Sequence, residues 1–185
     1  YVDKLWLESR MPGIQGVGFS QLIPAGELER HTRAIRTEGF PDYGVRPEGE
    51  RDPYTAIIYL EPFAARNLRA FGYDMLSEPV RRAAMIRARD SGRAAMTGKV
   101  TLVQETDRDI QPGFLIYVPV YRPGAVVDTV EARRANLIGW AYSPMRMGDF
   151  MRHFLAGIEF IRERASLDVE IYDGDTLSAD TLMFD

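Results

Sequence analysis

Apolar residues recur along the chain with two periods, and the points where the period changes predict its elements. Leu5, Trp6 and Leu7 stand in a charged setting that reads as the end of a longer helix, broken at Pro12-Gly13. Gly16 to Ile23 follows as a strand. Pro24 to Glu38 follows as a helix, with Leu28, Thr32 and Ile35 on one face, His31 on or beside it, and Gly39 as the stop. Phe40 to Asp52 is a polar loop or flap with a short strand near Tyr43 to Arg46. Tyr54 to Leu60 is apolar at both alternating positions, the pattern of a central strand covered on both faces.

A second helix is predicted from Ser77 to Ser91, with Ser77 as its cap, Pro79 in its first turn and Gly92 closing it. Two apolar strands, Lys99 to Gln104 and Phe114 to Tyr121, are joined by the acidic loop Glu105 to Pro112. Pro123-Gly124 opens a polar connection, and the pattern restarts with a strand from Ala135 to Tyr142. Ser143 and Pro144 read as the start of a long helix, because Met147, Phe150, Met151, Phe154, Leu155, Ile158 and Ile161 recur at helical spacing. Asp168 to Tyr172, the turn Asp173-Gly174 and Thr181 to Phe184 close the chain as two short strands. Strand, helix and hairpin thus occur twice. The reading is an α+β fold in which the helix end 1–12 leads into a larger unit, 13–122, a connector, 123–134, and a smaller unit, 135–185.

Composition narrows the function classes. A chain of 185 residues with 45% hydrophobic and 27% charged residues can bury a real core. Its formal net charge of −4 gives no electrostatic reason to expect nucleic acid or an anionic membrane as a partner. The absence of cysteine removes disulfides, thiolate metal sites and cysteine nucleophiles. No apolar run among these residues is long enough to span a bilayer, so the stretch by itself is expected neither to cross nor to target one. Neither Asn67 nor Asn136 is followed two residues on by Ser or Thr, so no glycosylation acceptor is present.

Catalytic chemistry finds little to start from. The two histidines, His31 and His153, fall on helices of different units without a partner at metal-ligand spacing. Gly92 to Val100 fails as a phosphate loop: its glycine spacing is one residue too long, Val100 stands where the Mg²⁺-binding hydroxyl belongs, and a strand follows. Asp173-Gly174-Asp175 and the Glu105 to Asp109 loop lack the alternating ligands of a calcium loop, and no Gly-x-Ser-x-Gly elbow occurs. No cofactor is expected.

Several stretches together carry a resemblance. Pro12 to Phe19, Tyr54 to Pro62, the turn Gly72-Tyr73-Asp74 with Ser77, the helix end Arg87-Ala88-Arg89-Asp90-Ser91-Gly92, Thr97 with Leu102, and the strand from Phe114 to Tyr121 follow one another at the spacing of a known family. In this order they resemble the CHASE domain, the extracytoplasmic sensory module of histidine kinases and nucleotide cyclases in bacteria and of plant cytokinin receptors. The resemblance implies two tandem PAS-like subdomains, membrane-distal and membrane-proximal, after an N-terminal stalk helix. It also implies a periplasmic or extracellular location in an inner-membrane protein, flanking transmembrane helices, a homodimer formed through the stalk, and a cytoplasmic histidine kinase or diguanylate cyclase output.

By the same resemblance, a small molecule sits between the distal sheet and the segment around Ser77. Tyr73, Met75, Arg81, Thr101, Val103 and Tyr117 would line the site, with Phe71 and Tyr59 as further apolar wall. Each has a plainer reading: Phe71, Tyr59 and Val103 as core, Arg81 as a solvated charge. The pattern also departs from the plant receptors, because Arg81 stands where they carry an acidic residue that grips the purine and Tyr117 where they carry a small hydroxyl residue. Arginine has no acceptor and favours carboxylate or phosphate, so the expected ligand is small and anionic or carbonyl-bearing rather than a cytokinin. Two rivals stand beside this sensor: a structural module for dimerisation or a periplasmic partner, its pocket filled by side chains, and an enzyme built on Asp74, Arg81 and Tyr73.

Overall fold

A computed structural model of the protein describes residues 13–105, 110–157 and 168–185. The helix end expected at 1–12, residues 106–109 of the acidic loop and the continuation expected for the long helix at 158–167 lie outside them. The described elements are β1 (Val17–Ile23), α1 (Leu28–Thr37), β2 (Tyr54–Glu61), α2 (Pro79–Ser91), β3 (Ala95–Met96), β4 (Val100–Thr101), β5 (Pro112–Tyr121), α3 (Val130–Asn136), β6 (Leu137–Arg146), α4 (Met147–Ala156), β7 (Ile171–Tyr172) and β8 (Leu182–Phe184). Short 3-10 turns cover Ala25–Glu27, Ala65–Ala70 and Met75–Ser77. The fold is mixed α and β, and no helix among the described residues is long and apolar enough to cross a membrane.

The main sheet is antiparallel, in the order β2-β1-β6-β5-β3, with β4 also paired to β5. Its alternation sorts two cores onto two faces. From β5 and β6, Leu115, Tyr117, Trp140 and Tyr142 join Ile57 and Leu60 of β2 under α2. Phe114 and Met145, opposite each other in the ladder, instead join Met147 and Met151 of α4 and Met183 of β8. A third cluster of Ile23, Tyr43, Tyr54 and Ala56 receives Leu28 and Ile35 of α1, the apolar face expected of that helix.

The α2 helix lies close to the sheet because its inward positions are small. Arg81, Ala84, Met85 and Ala88 are the buried residues, at helical spacing, and two alanines leave room for the large residues beneath. Trp140, 1% exposed, fills that room, and its indole N–H donates to the Met85 carbonyl at 2.9 Å.

Several boundaries differ from the sequence reading. Tyr54–Glu61 is an edge strand, not a central one. Its residues Tyr54 to Ile57 and Leu60 are nonetheless buried, and its free edge is taken by the chain itself: Gly72 N–H donates to the Ile57 carbonyl at 2.9 Å, and Ile57 N–H to the Tyr73 carbonyl at 3.2 Å. The cap of α2 is Glu78 rather than Ser77, its carboxylate accepting from Val80 N–H and Arg81 N–H, both at 2.9 Å. Ser77 ends the preceding 3-10 turn.

The strand expected from Lys99 to Gln104 shrinks to Val100–Thr101. Ahead of it, the Thr97 hydroxyl accepts from Leu115 N–H at 2.9 Å, a bond that a regular ladder would give to backbone. The end of the polar connection folds as α3, capped by Thr129. Ser143 and Pro144 lie inside β6, opposite Ile116 and Leu115, so the following helix starts at Met147. Pro144 lacks an N–H, but its carbonyl accepts from Gln15 N–H at 2.9 Å. The strand read as opening the second unit, β6, is hydrogen-bonded between β1 and β5 in the main sheet.

Candidate ligand-binding site

The segment from Tyr73 to Arg81 is fixed from below by Asp74, which is fully buried. One oxygen of its carboxylate accepts from Thr55 N–H at 3.0 Å, from the Thr55 hydroxyl at 2.6 Å and from Leu76 N–H at 3.0 Å; the other pairs with Arg51 Nε at 2.8 Å. Those bonds tie β2, the turn after Tyr73 and the 40–53 loop at one point. Asp74 is thus an anchor in the fold, with its lone pairs spent on the backbone and Arg51 rather than presented to a substrate.

Above this anchor the chain turns into α2 and places Arg81 in the first turn, 4% exposed. Its guanidinium donates to the Thr101 carbonyl at 2.7 Å, sits 3.3 Å from the Glu78 carboxylate, and lies over the Tyr73 ring at 5.6 Å. A buried cation at the positive end of a helix runs against the macrodipole, and Glu78 offsets it. The solvated charge that sequence statistics favour for this position is therefore corrected by burial: helical spacing puts 81 on the same face as 84, 85 and 88.

Near Arg81 lies the buried phenol of Tyr117, with that of Tyr142 beside it. The Tyr117 hydroxyl donates to the Met75 sulfur at 3.0 Å, a weak acceptor, and its ring centroid is 6.3 Å from that of Tyr142. The Tyr142 ring lies against the backbone of Gly18, where a Cβ would come within 2.7 Å of the hydroxyl oxygen, and that hydroxyl has no hydrogen-bond partner among the described residues. Ser20, two positions along β1 from Gly18, is likewise buried with an unpartnered hydroxyl. Burial pushes both phenols well above the ordinary tyrosine range, the Arg81 charge opposing it at Tyr117. They are therefore neutral donors at any physiological pH.

Six of the eight residues named from sequence meet here. Tyr73, Met75, Arg81, Val103 and Tyr117 pack on one core, and Thr101 contributes its carbonyl while its side chain is exposed. The other two do not reach it. Phe71 belongs to an aromatic cluster with Phe40, Tyr43 and Phe63, at ring separations of 5.0 to 5.3 Å, and Tyr59 is 44% exposed on the edge strand. Both were expected as pocket wall: Tyr59 is turned outward on the edge strand, and Phe71, which follows the 65–70 turn, packs into the cluster of Ile23, Tyr43, Tyr54 and Ala56 instead. Tyr142 and Ser20 were missed. Their signal is weak in sequence, since it depends on the β1–β6 register that sets Gly18 opposite Tyr142 and Ser20 opposite Trp140.

The chemistry gathered here is that of hydrogen-bond donors beside an aromatic face. It offers phenol O–H groups, a guanidinium and an aromatic face, and it presents no nucleophile with an adjacent base.

The family model of the CHASE domain matches residues 1–184. A curated relative, Hybrid signal transduction histidine kinase A of Dictyostelium discoideum, is 25% identical over 197 residues, covering 98% of this chain. The chain spans only 9% of that protein's length. A match over nearly every residue, with the turn, helix and strand pattern in place around Arg81, settles the family: the chain belongs to the CHASE domains.

Proposed function

We propose that the protein is the sensory domain of a signalling receptor and takes a small acceptor-rich molecule, a carboxylate or a carbonyl compound, between α2 and the main sheet. The observation that carries this reading is the pairing of a buried Arg81 with two buried phenols whose hydroxyls lack a good acceptor. Unmet polar groups in a core are costly, and a ligand oxygen reaching Tyr117 and Tyr142 would relieve that cost. Cytokinin fits poorly, because Arg81 has no acceptor for a purine N–H and the Tyr117 ring occupies the core.

The two cores on β5 and β6 support a reading as two PAS-like units that share these strands, a larger distal one under α2 and a smaller proximal one with α4, β7 and β8. The receptor then presents this domain outside the cytoplasm, in the periplasm or at the cell surface, as a homodimer joined through the stalk helix. It controls a histidine kinase or diguanylate cyclase, the former by analogy with the Dictyostelium relative. The fragment itself is not an enzyme.

One observation favours a second reading. Tyr117 bonds to Met75, and Arg81 to the Thr101 carbonyl and Glu78, so side chains occupy the space a ligand would need. A module that sets dimerisation or holds a partner protein would look the same.

A thermal-shift screen against carboxylates, phosphates and free purines separates the two. A ligand at a hundred times its dissociation constant stabilises the fold by roughly 2.7 kcal/mol. A carboxylate or carbonyl hit lost in both Tyr117→Phe and Arg81→Ala supports the sensor. A blank throughout, with a concentration-dependent oligomer, supports the structural module.

A further inference from the structure

A second site, sharing no residue with the first, lies where the end of β2 meets α4. It is a groove of about 750 Å³, lined by Gly13 to Gln15, Pro62, Arg66 and Asn67 on one side and by Asp149, Arg152 and His153 on the other. That volume is within the range of metabolite-sized pockets.

The walls are built rather than incidental. Gln15 N–H donates to the Pro144 carbonyl at 2.9 Å and Arg146 N–H to the Gly13 carbonyl at 3.0 Å, so the 13–15 segment is strapped to β6. Gly13 has φ +98, and a Cβ there would lie 2.5 Å from the Phe150 backbone, so this strap touches α4 and only glycine fits. Asn67 is 3% exposed, and its amide nitrogen donates to the Gln15 and Pro62 carbonyls, both at 3.0 Å. Those two bonds fix which way the amide points, leaving its Oδ1 buried with no donor.

The charges are unequal. Asp149 is the one carboxylate of the lining, and it already receives Arg146 at 2.6 Å, Arg152, and Gln111 at 3.4 Å. Burial works to raise its pKa, but the Arg146 and Arg152 bonds leave it below the ordinary value, so it is ionised and compensated. Arg66, on the facing wall, has no hydrogen-bond or ion-pair partner among the described residues, and His153 adds a second nitrogen group. The groove therefore offers an uncompensated guanidinium, and Asn67 in its wall carries a buried acceptor that lacks a donor.

We propose that this groove binds a small carboxylate carrying its own hydrogen-bond donor, a hydroxy or amino acid, with the carboxylate on Arg66 and the donor turned to Asn67. Such a ligand would bridge the end of β2 to α4, joining the layer under α2 to the smaller core.

Malate titrated into the 185-residue chain by calorimetry tests it, with succinate as the probe lacking the hydroxyl. Malate should bind more tightly than succinate, and Arg66→Ala, at an exposed position, should weaken malate about tenfold or more. Tyr117→Phe should leave malate binding unchanged, which separates this groove from the site under α2. Amide shifts at Gln15, Asn67 and His153 on addition of malate would locate it. No binding of malate, equal binding by Arg66→Ala, or loss in Tyr117→Phe alone would overturn the proposal.

Discussion

The hydroxyl of Tyr117 ends on the sulfur of Met75, 3.0 Å away, in a position from which solvent is wholly excluded. A thioether is a weak acceptor, so this bond holds the phenol in place without satisfying it. Tyr117→Phe should therefore change stability by less than about 1 kcal/mol, while abolishing the response to any ligand that accepts from Tyr117. Chemical denaturation and a ligand titration on the same variant check both halves.

Asp74 should behave in the opposite way. Removing its carboxylate leaves the buried Thr55 amide and hydroxyl without their acceptor and Leu76 N–H with only the Thr55 hydroxyl at 3.3 Å, so Asp74→Ala is expected to cost roughly 3 kcal/mol or more. Arg51→Ala leaves that fully buried carboxylate without its cation and should likewise cost roughly 3 kcal/mol, whereas adding it to Asp74→Ala should cost little more. Urea unfolding of the single and double variants tests this coupling.

The segment entering β4, whose Thr101 carbonyl accepts from Arg81, is tied to the β7–β8 pair by two side chains: Lys99 Nζ donates to the Asp180 carbonyl at 2.7 Å, and Asp173 accepts from Lys99 N–H at 2.8 Å. A Cβ on Gly98 would lie 2.5 Å from the Asp173 carboxylate, so the second tie is the one a substitution at either residue removes. Asp173→Ala and Gly98→Ala should both release this tie, at roughly 1 to 2 kcal/mol each. Faster hydrogen exchange at Lys99 in both variants, with the α2 core unaffected, is the expected result.

Acid sensitivity should centre on His31, whose Nε2 is 2.7 Å from the buried Tyr43 hydroxyl. Burial lowers its pKa from 6.5, while the Glu38 charge opposes the shift. The unfolded chain then takes up the proton first as pH falls through 6.5, so stability declines with acidification until His31 protonates in the fold as well. His31→Gln should flatten this part of a melting-temperature profile between pH 7.5 and 5.5.

Sequence patterns located β1, α1, β5 and the stop at Gly92, because these follow from local period and chain order, whereas Tyr73, Met75, Arg81 and Tyr117 are named together through the resemblance to a family and not from any local pattern. Local patterns misassigned what depends on neighbours. Tyr54–Glu61 reads as central because both its faces are apolar, and only the tertiary contact with Gly72 and Tyr73 shows that loop backbone covers its edge. Ser143-Pro144 reads as a helix start because that pair so often is one, yet pairing with β5 carries the strand through both residues. Tyr142 and Ser20 are invisible for the same reason: their unmet hydroxyls arise from a register no single segment encodes.

The most direct test of the ligand site is a structure of the domain bound to the first hit from the carboxylate and carbonyl screen. The account predicts a ligand oxygen about 3 Å from the Tyr117 hydroxyl, with the Met75 sulfur displaced and Arg81 within reach. A ligand found elsewhere, with the Tyr117 to Met75 bond intact, would contradict it.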